Sequence, residues 1–571
     1  MKRAGVCLLV VVVACVVAPV FGEIEPRRIV EVTGYTDLDE RPGWRVVQAP
    51  KSVHGAPGKV RLFFGLSLQN VAELERELNE ELANPRSARY GEWLSAPEVL
   101  RRLRPEPHAA ALVEALVLRH GGEVVFGRNP GWVIADLPVF HASKLLQCPL
   151  RLYEHVPSGT YLWRCNAAET RYSLPANVAD VVDFVGGVHS LPPWGLSMRT
   201  PKGSTPSSES IIVTPAAIRE FYNVDDTMGL LDASPMHIGV HEFEKQFYKP
   251  DDLTLFQQRN GLPIQPVSRQ LGPNHEGTVA SGEGSLDIQF LMGMAPNVTS
   301  TYLYFPGGEN QYSDPFLFWM ATLLLIPDPP YVNSVSYGDN GFALSPLYMQ
   351  RVSTEIMAFT ATGRTMFFSS GDYGVNCRPL RHKFVTHFPA CSPYVTSVGG
   401  TVLYVDDNGV PDPTETGISF SGGGFSFVFD RPHYQDQAVE TYLHKYEQPA
   451  DLFYNPNGRA YPDLALFATN FEIIENGNPD YIGGTSASTP AIAGLFSLIN
   501  ELRFEKNLPS LGFLNPTLYH LKDTRPDVYN DITSGNNAYP PCPGFTCEPG
   551  FDALSGLGSI NWANMRDALV F

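Results

Sequence analysis

The chain has 571 residues, 43% of them apolar and 18% charged, with a formal net charge of −19. That length exceeds one ordinary domain, and the apolar fraction supplies material for a core. The excess of acid argues against nucleic acid as a partner.

Residues 1–22 begin with Lys2 and Arg3, continue through an apolar run from Leu8 to Val20, and end on Gly22. This is the form of a signal peptide, and the run is short of the roughly 20 residues that a membrane span needs. No later segment is long and apolar enough to cross a bilayer, so the processed chain is expected in the secretory pathway, off the membrane.

Residues 23–190 alternate strand-like runs (59–68, 122–137) with helical ones (70–83, 107–121), the pattern of an α+β domain. Residues 191–210 are rich in Pro, Ser, Thr and Gly and read as an exposed linker open to proteolysis. Residues 211–571 repeat short apolar strands followed by helices. Strands are expected at 236–243, 300–305, 331–338, 365–372, 392–400 and 401–405, and helices at 285–295, 346–363 and 488–502. This alternation predicts an α/β domain, a parallel sheet with flanking helices, whose site lies in loops beyond the carboxyl ends of the strands. Charge divides at the linker: residues 23–200 carry 20 basic against 21 acidic side chains, and residues 201–571 carry 19 against 39. An acidic milieu suits the second part, because protonation relieves its self-repulsion.

Six cysteines follow the signal segment, in three close couples: Cys148 with Cys165, Cys377 with Cys391, and Cys542 with Cys547. Three local disulfides are expected in an oxidising lumen. The one glycosylation sequon begins at Asn297.

Three short stretches carry chemistry. At 483–490 a glycine pair leads into a helix, placing Ser486 where unpaired N–H groups favour developing negative charge; the plain alternative is a helix-capping serine. Glu283 and Asp287 stand at i and i+4, so they share a helix face and one carboxyl pKa should rise; the alternative is a solvated acidic helix start. Asp372 lies on a Gly-flanked loop just past a buried strand, pointing into a cleft or closing an Asx-turn.

Taken together, and in this order, these stretches resemble the sedolisin family of serine-carboxyl peptidases, although Gly483 stands where the family's nucleophile motif has Ser. Residues 331–339, 388–401, 421–426, 458–465 and 511–519 resemble its lysosomal members, as does 89–95 in the front domain, where the family carries a propeptide. The resemblance implies a subtilisin-like fold preceded by an α+β propeptide. It implies Ser486 as nucleophile, Glu283 as its base, Asp287 as the group orienting Glu283, and a protonated Asp372 as oxyanion donor. A carboxylate base fits work in acid, where histidine is already protonated. Glu242 extends the carboxylate network in some members. His275, followed by Glu276, loosely echoes the subtilisin histidine and is the rival base.

The resemblance also implies one structural Ca²⁺, held by the carboxylates of Asp531 and Asp552 and the carbonyls of Ile532, Glu548 and Gly550. Glu548 replaces a glycine common in the family. Cys377 is expected to pair with Cys391 rather than with the C-terminal loop. The expected product is a self-processing zymogen, its prodomain an intramolecular inhibitor and its new N-terminus near Ser207 to Thr214. Its substrates would be polypeptides, cut to release tripeptides from free N-termini, in a lysosome or comparable acidic compartment or outside the cell. An acid endopeptidase and a non-catalytic peptide-binding protein are the alternatives.

Overall fold

The structure is a computed structural model that describes residues 26–31, 43–47, 58–126, 129–157, 159–165, 171–189, 191, 202–203, 205–224, 235–274, 279–305, 315–377 and 383–570. The signal segment 1–22 and the rival base His275 with Glu276 lie outside the described residues, as do 192–201.

The front part is α+β. Strand Lys59–Leu66 is central in a four-stranded antiparallel sheet, with Trp132–Pro138 on one side and Val182–Gly186 on the other. Its apolar positions Val60, Leu62 and Phe64 enter a core with Val113, Leu116 and Leu145, while Arg61 meets Asp136 of the facing strand at 2.7 Å. Leu66 joins the same core, and Phe63 is buried too because a second surface is covered.

The larger part is built on an eight-stranded sheet. Its strands are β1 (His237–Glu242), β2 (Arg269–Leu271), β3 (Thr299–Tyr304), β4 (Val332–Val335), β5 (Thr365–Ser369), β6 (Thr396–Val402), β7 (Thr416–Gly417) and β8 (Leu464–Phe467). The path runs β2-β3-β1-β4-β5-β6, with β6 also pairing β7 and β8; every pairing is parallel except that to β7. Helices α1 (Pro250–Arg259), α2 (Gly282–Met294), α3 (Pro315–Leu323), α4 (Pro346–Thr360) and α5 (Thr485–Glu505) cover both faces. Successive side chains of a strand point to opposite faces, and β5 shows the division. Phe367 joins the core of α1, α2 and α5, while Phe368 joins that of α3 and α4.

The front domain docks on the α3–α4 face. Phe63, Leu74, Leu78, Trp132 and Phe184 share one apolar core with Trp319, Met320, Val352 and Ile356. Arg351 of α4 crosses the junction, donating to Leu66 O at 2.6 Å and Gly131 O at 2.8 Å. Glu355 one turn on receives Arg351 at 3.0 Å and the Trp132 indole N–H at 2.8 Å.

Three expectations are corrected. Residues 401–405 are not a separate strand: β6 runs unbroken to Val402. Cys148 and Cys165 are bonded, but Cys377 bonds Cys542, leaving Cys391 and Cys547 as buried thiols. The loop after Asp372 lies on the C-terminal loop, with Val375 N donating to Asn537 O at 3.0 Å, so 377 and 542 are neighbours in space though far apart in sequence. The linker is not exposed throughout. Lys202–Gly203 pair antiparallel with Tyr481–Ile482, and Asn470 holds both the N–H and the C=O of Ser207 at 2.9 Å. Among the described residues no helix is long and apolar enough to cross a membrane.

Candidate active site

Ser486 lies in the first turn of α5, fully buried, as the Gly-rich approach predicts. Gly484 enters the helix at φ 134°, a conformation that favours glycine, and its N–H meets Ala468 O at 2.7 Å. The same strand end explains Gly483: a Cβ there would fall 2.7 Å from Ala468 O. Pro490 sits four residues after Ser486 and has no N–H to give the Ser486 carbonyl. Ser336, just past β4, supplies the missing donor: its Oγ lies 3.3 Å from Ser486 O, and Ser486 Oγ lies 3.5 Å from Ser336 O.

Glu283 and Asp287 are both in α2, whose N-cap is Ser281, and both side chains are buried. α2 and α5 pack together through Leu286, Phe290, Ala491 and Leu495. Burial holds the Glu283 carboxyl well above the usual range; the charges of Asp287 and Asp372 add to this, and the Ser486 hydroxyl works against it. Asp287 is raised by burial and by Glu242, with Ser336 opposing. Glu242, at the end of β1, is raised by burial, accepts the Tyr337 hydroxyl at a short distance, and feels Glu283. Glu283 Oε1, Glu242 Oε1 and both Asp287 oxygens are buried with no hydrogen-bond partner among the described residues. Crowded carboxyls without a cation cannot all ionise, so they titrate as a unit.

Asp372 follows β5. Its Oδ1 accepts Thr485 N at 2.7 Å and Thr485 Oγ1 at 2.9 Å, which fixes it one residue from the nucleophile. Its Oδ2 is buried without a partner among the described residues, and burial pushes the carboxyl up to about 6. Below that pH Oδ2 carries a proton it can donate.

Sequence reasoning missed the groups that hold these four. Ser336, Tyr337 and Thr485 each act on a partner far along the chain, and no spacing rule links them. The one legible signal was that Thr485 adjoins Ser486.

The C-terminal loops gather the five calcium-loop residues. Asp531 accepts Gly550 N at 3.0 Å on each oxygen, and Gly550 has φ 99°. Glu548 N lies 3.4 Å from Asp552 Oδ2, and Ile532 packs on Leu554. Asp552 is fully buried, with no ion pair among the described residues, and burial pushes its carboxyl up to about 7. Its Oδ1 accepts Leu554 N and Ser555 N and its Oδ2 accepts Ser555 Oγ, so the oxygen ligands that a hard divalent cation takes are represented here by two neighbouring carboxyls, one of them buried without a cation among the described residues.

The chain is similar to known proteins along most of its length. Residues 49–191 match the family described as "Pro-kumamolisin, activation domain". Tripeptidyl-peptidase 1 of Bos taurus is 36% identical over 535 residues, covering 90% of this chain and 92% of that protein. Tripeptidyl-peptidase 1 of Dictyostelium discoideum is 31% identical over 578 residues, covering 94% and 92%. Among solved structures, Pseudomonas sedolisin, a serine-carboxyl proteinase complexed with two molecules of pseudo-iodotyrostatin, aligns at TM-score 0.49 and 23% identity, over 63% of this chain and 100% of that one. With an activation domain packed on a parallel α/β domain, the chain is a serine-type peptidase made as a zymogen. It belongs to the tripeptidyl-peptidase 1 family.

Proposed function

We propose that the chain is an acid-acting peptidase that releases tripeptides from the free N-termini of polypeptides through an acyl-enzyme on Ser486. The observation that carries this reading is the pair of buried carboxyls, Glu283 and Asp287, on the helix packed against the one that presents Ser486. Ser486 Oγ attacks the peptide carbonyl carbon while its proton passes to Glu283, on which the one negative charge shared by the crowded carboxyls rests. The oxyanion takes a hydrogen bond from protonated Asp372. Glu283 returns the proton to the leaving amine, which departs as the C–N bond breaks. Water, deprotonated by Glu283, then attacks the ester carbonyl, and Glu283 returns that proton to Ser486 Oγ as the C–O bond breaks and the tripeptide leaves. Asp287 orients Glu283 and shares its charge, with Glu242 behind it.

In the precursor, residues 1–22 are the signal, 23–190 the prodomain, 191–210 the processing linker and 211–571 the peptidase. The prodomain is the intramolecular inhibitor. Its linker is held at Lys202–Gly203 by the strand that leads into Gly483 and Ser486, within reach of self-cleavage. Asp531 and Asp552, with the carbonyls of Ile532, Glu548 and Gly550, would hold one Ca²⁺, which supplies charge balance to the C-terminal loops. The two disulfides and the exposed Asn297 sequon fit passage through the secretory pathway to an acidic compartment or the exterior.

The test is a pH–rate profile on a tripeptidyl amide with a free amine and on its N-blocked form. Activity confined to about pH 3–5.5, abolished in Glu283→Gln and kept in His275→Ala, is expected. Preference for the free amine marks a tripeptidyl-peptidase, and preference for the blocked form an endopeptidase. A neutral optimum lost in His275→Ala would sink the carboxylate mechanism.

A further inference from the structure

A cavity of about 840 Å³ lies between the front domain and the peptidase, with none of the four catalytic residues in its walls. Residues 71–86 of the front domain form one side; residues 428–434 and the helix Asn515–Thr524 face them. The front domain grips that helix just beyond the cavity. Tyr90 OH lies 3.2 Å from Thr517 Oγ1, and the Trp93 indole N–H donates to Ser510 O at 2.9 Å. Arg89 stiffens the gripping segment by pairing with Glu81 at 2.6 Å, Glu77 at 2.9 Å and Glu92 at 3.1 Å.

His520 stands one turn past Thr517, so both lie on one helix face. Arg86 stands four residues before Tyr90. The grip therefore carries the two side chains, one from each domain, into the same cavity. His520 is half-buried, and its Nδ1 is buried without a hydrogen-bond partner among the described residues. Burial holds the ring below its usual range, the Arg86 guanidinium adds to this, and Asp523 of its own helix opposes both. Most other charges in the walls are matched. Arg76 meets Glu80 at 3.4 Å, Arg431 meets Asp436 at 3.0 Å and Glu440 at 2.9 Å, His433 meets Asp436 at 3.0 Å, and Glu75 accepts the Tyr394 hydroxyl. Asp430 also lines the cavity.

We propose that His520 and Arg86 form a pH-sensitive contact that seats the prodomain at neutral pH, when His520 is uncharged, and loosens it in acid, when protonated His520 faces Arg86 with like charge. This rests on the reading of residues 23–190 as an inhibitory prodomain. Lifting the gripping segment takes Arg86 away and opens the ring to water, so the lifted state binds the proton more readily than the seated one. Seating is then at full strength above about pH 6.5 and weakens as pH falls below it. The acids nearby do not cancel this: as they protonate in turn, the two cations lose their screening.

The test is hydrogen exchange on the full-length Ser486→Ala precursor, which cannot process itself, reading the opening of residues 84–93 at pH 7 and pH 5 after correction for intrinsic exchange. Opening should rise about threefold at pH 5, the worth of one half-exposed charge pair. Added His520→Gln, neutral at both pH values, should lose most of that rise, as should Arg86→Gln, and the two together should add nothing further. His520→Lys, charged throughout, should be open at both. No rise in the parent precursor overturns the proposal whether or not the variants fold; so does a full rise in His520→Gln, or one kept in Arg86→Gln. These readings need no peptidase activity. In the precursor that retains Ser486, His520→Gln should slow the appearance of amidase activity at pH 5 about threefold and leave kcat of the processed enzyme unchanged. No amidase activity in any protein would overturn the peptidase reading and leave the exchange result standing.

Discussion

Asp372 has a hydrogen-bond pattern that separates its two oxygens. Oδ1 is spent on Thr485, so in the mechanism proposed above only Oδ2 is left to donate to the oxyanion, and only while protonated. With the carboxyl near 6, donation fails as pH rises through that value. Asp372→Ala should therefore lower kcat by about 10²–10³ at the acid optimum, as removal of an oxyanion donor does. Asp372→Asn keeps a donor at every pH, so it should retain more activity than the alanine variant and lose the alkaline limb near pH 6; profiles of kcat for the two variants decide this. Ser486, Glu283, Asp287 and Asp372 were legible in the sequence because each carries a local pattern: a glycine approach, an i, i+4 pair, a strand-end loop. Ser336 and Tyr337 carry none, since what defines them is a partner brought close only by the fold. The cysteines misled for the same reason: nearness in sequence stood in for nearness in space.

The helices and strands of the parallel sheet were legible where apolar runs were long, as for α2, α4, α5 and β1. The short edge strands β2 and β7 and the helices α1 and α3 gave weak periodicity and were not anticipated. What no single element disclosed was the docking of the front domain on α4. Arg351 there satisfies two prodomain carbonyls and Glu355 together, with only 3% of its side chain exposed. Arg351→Met takes a donor from each carbonyl, of which Gly131 O keeps only Leu66 N, and leaves buried Glu355 without its cation and with only the Trp132 indole N–H, a loss of about 3 kcal/mol. The variant precursor should show earlier proteolytic access to the prodomain and faster acid activation than the wild type, while the activity of the processed enzyme stays within about twofold; the time course of processing by gel, against amidase rate, checks both.

For the molecule as a whole, buried acids and buried histidines pull stability in opposite directions. Asp372 holds its proton to about pH 6 when folded but only to about 3.9 when unfolded, so its contribution of about 3 kcal/mol is complete below pH 4 and lost as pH rises through 6. His241 is the reverse. Buried between Asn333 and Trp319 and pushed down to about 4, it costs stability as pH falls from 6.5 toward 4. These two nearly offset each other. Glu242, Glu283 and Asp287 share the sign of Asp372 and decide the balance, so the thermal midpoint should be higher at pH 5 than at pH 7.5, with Glu242→Gln flattening the slope. A calcium chelator at fixed pH should lower the midpoint by a few degrees, and excess Ca²⁺ should restore it, read by calorimetry on the Ser486→Ala precursor. The apolar core that the two domains share has a kinetic consequence. While the linker is whole, the prodomain returns to its seat at an effective concentration of the order of millimolar, whatever the dilution. Once the linker is cut, the same contacts persist but re-docking becomes bimolecular. Scission and the appearance of activity are then separate events, and the second, unlike the first, quickens when the solution is diluted.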